Sequence, residues 1–408
     1  MRPLTTTFLA SLFAALLLAG CDSFVEDVDL PVDTIDNEQL ADESQVPFLI
    51  AGLQTRFATT HDRLALLSDG LSDQFIFDQR VPNATFPTYK EIDIGEITLD
   101  NNSVDNPFTG LGELRLFSDQ FLERIAEIEF EDAGLQREAQ FVGNFYGGVA
   151  RYFYATFFGL EPRMGGGVID AGPFIPSTDM YTQALDKLNT ALGFADDYQA
   201  RVINTLVARI HLYMGDFGAA RAAAQNGLQD GDAPFQSQHS VESQNRYYQQ
   251  AGIGRTQWVV DFRYNEIVEA DPAEAVRIQI EVIEGNDGDP DAGVDPTLFY
   301  RQAKYPENSA PIDFATWQEN TLILAELDLR EGNEAGAVAH VNAVRAAHSL
   351  DPLAALDLDG LLFEREKELF AEGFRLADQR RFEQWHLGAE TWQYLPITQS
   401  ERNNNEHF

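Results

Sequence analysis

The chain alternates between two kinds of stretch. From Val46 onward apolar residues recur three or four apart, as Phe48, Leu49, Leu53, Phe57 and Ala58 do, which is the period of one helix face. Over 76–107 that period is lost. Pro82, Pro87, Pro107 and several asparagines fall there, so a long loop or small strand region is expected. Leu111–Ile128 and Glu138–Phe158 return to helical spacing, the second with many aromatic rings. A glycine-rich turn follows at 163–168. Ser177–Asp179 then precede a helix over 180–195, and 197–214 with 217–228 form a helical pair. Residues 233–315 differ again. Strand-like runs at 258–262 and 276–280 lie between polar, proline-containing loops. Helices resume at Trp317 and run in pairs to about Trp385.

Two of these pairs are alike. ARIHLYMGDFGAARAA (208–223) matches AELDLREGNEAGAVAH (325–340). In each, a first helix ends at a glycine, Gly215 or Gly332, which permits the tight turn. Asp216 or Asn333 can then cap the second helix. Small alanines let the two helices approach closely. The unit resembles the tetratricopeptide (TPR) repeat, but the copies are unevenly spaced. The expected fold is mainly α, a TPR-like scaffold of helical pairs with a loop-rich insertion containing short strands.

The start of the chain is not read as fold. Phe8–Ala19 is apolar apart from Ser11, too short to span a bilayer, and ends at Leu18-Ala19-Gly20-Cys21. This resembles a bacterial lipobox, so residues 1–20 are expected to be a signal peptide and Cys21 to carry the lipid. Cys21 is the single cysteine, which then leaves no disulfide and no thiol nucleophile. Residues 21–43 read as an acidic, solvated tether, and 44–408 as one folded domain. Its helices are placed at about 44–75, 108–230 and 316–385, and its variable segments at about 76–107 and 233–315.

Charge narrows the choice of partner. Lys plus Arg total 28 against 66 Asp plus Glu, a net −38, and the lysines are four: Lys90, Lys187, Lys304 and Lys367. Nucleic acid and anionic lipid surfaces would repel such a chain. Salt at 1 M shortens the Debye length to ~3 Å, so an acid-rich, lysine-poor chain suggests a halophile.

The end of the chain is its sharpest motif. Arg365, Glu368, Glu372 and Arg375 are spaced to share one face of a helix from about Leu361. Together with Leu369, Gly373, Asp378 and Arg381 they match the pattern R-x-x-E-L-x-x-E-G-x-R-x-x-D-x-x-R. The tail Leu395-Pro-Ile-Thr-Gln-Ser-Glu401 matches a closing L-P-I-P-x-x-E, with Thr398 in place of the second proline. Ala325, Glu326, Gly332, Ala337, Asn342 and Arg345 match the preceding pair, and Leu67-Ser-Asp69 is a weaker echo. On these residues the chain resembles the SusD/RagB family of surface nutrient-binding lipoproteins. The resemblance implies non-enzymatic capture of a glycan or oligosaccharide. It also implies a lipid anchor in the outer membrane and delivery to a separate SusC-like TonB-dependent transporter. Peptide capture, as in RagB-like members, and a structural TPR-like lipoprotein of outer-membrane assembly are the alternatives. The charged residues of the motif are expected to be scaffold.

Catalytic constellations do not stand out. The histidines are scattered, and neither H-E-x-x-H nor G-x-S-x-G occurs. Carboxylates are too numerous for counting to exclude a glycosidase pair. No cofactor is expected. Asp287, Asp289 and Asp291 resemble the start of a calcium loop, but Ala292 and Leu298 stand where an EF-hand needs Gly and Glu. Rings outside the helical pairs are the candidate ligand contacts, because sugars present flat C–H faces. They are Trp258, Tyr264, Phe299, Tyr300, Tyr305 and Trp317 in or beside the insertion, and Phe75, Phe77, Phe86 and Tyr89 earlier.

Overall fold

The computed structural model describes residues 42–408. The signal segment, Cys21 and the tether up to residue 41 lie outside the described residues. Asp42 and Glu43 already belong to the fold. The Glu43 carboxylate accepts the backbone N–H groups of Glu131 and Asp132, each at 2.9 Å.

The helices in chain order are α1 (Val46–Leu71), α2 (Pro87–Asp93), α3 (Asn102–Ile125), α4 (Ala133–Phe157), α5 (Ser177–Leu192), α6 (Asp197–Met214) and α7 (Phe217–Ala224). They continue with α8 (Arg246–Ala251), α9 (Phe262–Ala270), α10 (Trp317–Arg330), α11 (Glu334–Ala347), α12 (Leu358–Glu368), α13 (Arg375–Arg381) and α14 (Gln399–Asn404). The strands are short: β1 (Phe75–Ile76), β2 (Phe158–Glu161), β3 (Met164–Gly167), β4 (Ile175–Pro176), β5 (Phe235–Ser237), β6 (Val259–Val260), β7 (Ile280–Glu284), β8 (Leu298–Gln302), β9 (Ile312–Ala315) and β10 (Leu395–Pro396). They form sheets ordered β1-β6-β8-β7, β10-β2-β3-β4 and β5-β9. The molecule is a mainly α scaffold of helical pairs with an insertion of short strands.

The two matched pairs form as the sequence predicts. Gly215 and Gly332 have φ of 78° and 80°. Asp216 accepts from Ala219 N–H at 3.1 Å, and Asn333 from Gly336 N–H at 3.2 Å. A buried ion pair joins the two pairs. Arg209 on α6 meets Glu319 on α10 at 2.5 Å, with both side chains almost fully enclosed. From Phe141 to its end α4 is buried all round, as befits a helix at the centre of a large core. Its rings pack on those of α1 and β9, such as Phe153 on Phe314 at 5.8 Å. Each such side chain contributes about 1.5–3 kcal/mol through burial.

Several expectations need correction. The segment 76–107 is not loop throughout. It holds α2 and the first turns of α3, where Asn101 caps Ser103 N–H at 3.0 Å and Pro107 sits inside the helix. The strand-like run 276–280 is mostly irregular: Val276 closes a 3-10 turn begun at Pro272, and the strand starts only at Ile280. The triple glycine is not a turn but strand β3. Phe48, placed with the apolar face of α1, is 72% exposed, whereas Ile50, Leu53 and Phe57 point inward.

The largest correction concerns the C-terminal motif. Its helix breaks. α12 ends at Glu368, and residues 369–374 form a turn in which Ala371 and Gly373 have φ of 58° and 81°. Glu372 and Arg375 therefore do not continue one helix face from Arg365. The cause is the end of α1, to which the turn is bonded. Ser68 Oγ donates to Gly373 C=O at 3.0 Å, Gly373 N–H to Asp69 at 3.1 Å, and Ala371 N–H to Gln74 at 2.7 Å. The Leu67-Ser-Asp69 echo and the Glu372-Gly373 step are two halves of one joint.

Candidate functional site

Two of the large hollows bring cationic and polar side chains together. The first lies between α9, α11 and α12 and is lined by Glu274, Arg345, Glu364 and Lys367. These four are already spent on one another. Lys367 meets Glu274 at 2.8 Å and Glu364 at 2.6 Å, and Arg345 meets Glu364 at 2.9 Å.

The second is a cleft of about 700 Å3 at the junction of α1, α2, α3 and α8. Helix α3 contributes Asn102, Ser103, Asn106, Thr109 and Glu113, spaced to share one face. Helix α1 contributes Arg56 and Arg63 from its outer face, and α8 contributes Arg246 and Gln250. Phe86 at the start of α2 and Thr88 and Tyr89 in its first turn complete the lining. This segment is fixed from two sides. Gln257 Oε1 accepts the N–H groups of Thr85 at 2.9 Å and Phe86 at 3.2 Å. Asn101 donates to Thr88 C=O at 2.9 Å, and the Thr88 and Ser103 hydroxyls meet at 2.8 Å. Arg255 stacks over the Phe86 ring at 4.6 Å. Burial pushes the Tyr89 hydroxyl up to about 12 against the pull of Arg246, Arg255 and Arg63. It stays protonated at neutral pH and can donate. The cleft thus offers ring edges, amides, hydroxyls and guanidinium groups around one space.

The rings named as candidate ligand contacts are mostly core. Phe75, Phe77, Tyr89, Trp258, Tyr264, Phe299, Tyr305 and Trp317 are buried, and Tyr300 is half-buried. Trp258 stacks on Tyr89 at 4.9 Å and meets Phe77 edge-on at 6.2 Å. Tyr264 packs on Phe370, Tyr305 on Tyr247, and Phe299 on Phe262. A ring enclosed on both faces has no surface left for a sugar. Of the expected rings, Phe86 and Tyr89 border the cleft. The three acidic residues of the insertion do not converge. Asp287 accepts from Thr297 at 2.6 and 2.9 Å, and Asp289 closes its own turn on Asp291 and Ala292 N–H. Among the described residues no group of three or more His, Cys, Asp or Glu could hold a metal ion. Arg56, Arg63, Arg246 and the α3 face were missed in the sequence. Their signal was a polar stripe on α1, Arg56-Thr59-Arg63, opposite the apolar one.

Fold and cleft together define a class, a TPR-like helical scaffold with a ligand-sized hollow beside its variable loops. No family model matches the chain, and no curated protein matches it in sequence. Its fold is that of solved SusD-superfamily structures. A SusD superfamily protein from Bacteroides thetaiotaomicron superposes with a TM-score of 0.73 at 17% identity, covering 90% of this chain and 98% of that one. NanU of B. fragilis gives 0.72 at 13%, covering 93% and 98%. A laminarin-binding SusD-like protein gives 0.68 at 14%, covering 90% and 98%. The chain has the SusD-like fold. None of its described helices is long and apolar enough to cross a membrane.

Proposed function

We propose that this protein captures glycan chains at the cell surface and passes them to a SusC-like TonB-dependent transporter, without catalysing a reaction on them. The observation that carries this reading is the cleft of about 700 Å3 on a SusD-like fold. Its volume is that of a small-ligand site. Its rings can meet the C–H faces of a sugar, while Asn102, Asn106, Thr88 and the arginines can bond its hydroxyls. Two neighbours in fold are carbohydrate binders by description, the laminarin-binding protein and a SusD-like carbohydrate-binding protein from Bacteroides vulgatus. Glu113 is the one carboxylate in the lining, and Arg56 holds it at 2.8 Å. Hydrolysis between paired acids takes two carboxylates astride the bond, so the lining supports capture over cleavage. The Leu18–Cys21 lipobox supports lipid anchoring in the outer membrane.

Calorimetric titration of the delipidated protein with a panel of polysaccharides and peptides tests the ligand class. Recovery of a TonB-dependent transporter in a pull-down from the native envelope tests the partner. Heat from at least one polysaccharide, with no shortened product, is the expected result. Heat from peptides alone overturns the glycan reading.

A further inference from the structure

The cleft does not end at Tyr89. Arg56 and Arg63 also line a hollow of about 770 Å3 that runs along α1 past Gly52 and Phe48 toward Phe117 and Arg124. Arg63, Arg246 and Glu242 line a smaller one of about 330 Å3 beside it. On α1, Phe48, Gly52, Arg56, Thr59 and Arg63 follow at steps of three or four, so one helix face looks into one groove. Rings stand at both ends, Phe86 and Tyr89 at one and Phe48 and Phe117 at the other.

The charge of this groove is opposite to that of the molecule. Arg56, Arg63, Arg124 and Arg246 line it against Glu113, Glu242 and the almost fully buried Asp62, in a chain of net charge −38. Arg56 is answered by Glu113. The guanidinium groups of Arg63 and Arg246 make no salt bridge or hydrogen bond among the described residues. Arg246 reaches Asp62 through its backbone N–H, at 3.1 Å. Asp62 itself lies sealed beneath the groove, and burial pushes its carboxyl up to about 7. Near neutral pH it carries only part of a charge to set against the two cations. Burial, followed by the repulsion of Arg246, lowers the pKa of Arg63. Two half-buried cations facing one another in a groove are relieved by an anion from outside. The planar guanidinium fork suits carboxylate and sulfate oxygens, which it can bind in pairs.

Resting on the capture reading above, we infer that the glycan taken by this groove is polyanionic, its carboxylate or sulfate groups received by Arg63 and Arg246. The negative charge of the whole protein opposes the approach of such a chain at low salt. At 1 M salt the Debye length is ~3 Å, so distant carboxylates no longer act while contact pairs still do. The same acidic surface then restricts a polyanion to the one groove that accepts it.

The test is calorimetric titration in 1 M NaCl against two matched pairs, polygalacturonate with its methyl ester and dextran sulfate with dextran. Poly-glutamate serves as a polyanion without sugar. Binding of the charged member of one pair and not of its neutral partner is expected, and which pair responds separates carboxylate from sulfate. Arg63→Ala and Arg246→Ala should each weaken it roughly ten- to a hundred-fold, the worth of hydrogen bonds to a charged group, with the melting temperature unchanged. Arg246→Gln, which keeps the packing, reads the same contact if Arg63→Ala melts early. Equal binding of charged and neutral members, or binding indifferent to both arginines, overturns the inference and leaves glycan capture standing. Tighter binding of poly-glutamate than of any saccharide overturns both. Silence from all five probes overturns the inference, and the wider panel then decides on capture.

Discussion

Around Asp378 the arginines are buried and answered. In the groove beside α1, Arg63 and Arg246 are half-exposed and unanswered. In the first region Arg365 meets Asp378 at 2.8 Å, and Arg381 meets Asp378 at 2.6 Å and Glu326 at 2.8 Å. Arg375 meets Asp73 at 2.6 Å, and Arg263 bridges Asp73 and Glu366. A neighbouring cluster sets Arg277, Arg345 and Lys367 against Glu274, Glu364 and Glu368. These pairs fasten the insertion to the C-terminal helices. In the second region Arg63 and Arg246 fasten nothing. The same side chain therefore marks structure where its partner is built in and, on the inference above, a binding surface where its partner is missing.

The contrast can be broken most sharply at Asp378. Asp378→Ala leaves Arg365 and Arg381 buried without their partner and should cost about 3–5 kcal/mol, read by urea unfolding. Replacing Arg365 and Asp378 together by apolar residues of like volume should cost far less, because no charge is then stranded. Equal losses from the single and double changes would remove the pairing argument. Next comes the joint between α1 and the 369–374 turn. A Cβ at Gly373 would stand 2.7 Å from Ala65 Cα, at a φ of 81°. Gly373→Ala should cost about 1–3 kcal/mol in the same unfolding assay.

A similar effect comes from pH. Burial pushes Asp69 up to about 7 from an ordinary 3.8. The folded-state value is the higher one, so the folded protein holds the extra proton. The stability this gives is complete below about pH 4 and is lost as pH rises through 7. Unfolding free energy should fall by about 2 kcal/mol between pH 5.5 and 8 from this group, and Asp69→Asn should remove that part of the slope. A slope unchanged in the variant would show that Asp69 is not its source. Smallest of all, Arg63→Ala and Arg246→Ala should shift stability by no more than about 0.5 kcal/mol. A loss as large as that of Asp378→Ala would erase the distinction between the two regions.

Much of the fold was legible because its signals are local. Helical period, the Gly-Asp and Gly-Asn turns and the Leu395–Glu401 tail each act within a few residues. The break after Glu368 was not legible, because it is imposed by Ser68, Asp69 and Gln74 from the far end of the chain. The rings misled for the same reason. Trp258 and Tyr264 sit in loop-like sequence, yet partners at Tyr89 and Phe370 enclose them. The candidate site was the least legible part. Arg56 and Arg63 lie on the polar stripe of α1, and a periodicity count rewards only the apolar one. That Arg63 lacks a partner is a fact of three dimensions.

The joint between Ser68 and Gly373 spans 305 positions of sequence. A chain emerging from its N-terminal end can complete the far end of α1 only when all but about its last 35 residues have followed. Until then Asp69 and Gln74 wait for groups not yet delivered. Contacts so distant along the chain make for slow assembly. Such a molecule stays pliable during any passage it makes as an unfinished chain, and sets only when its final stretch arrives.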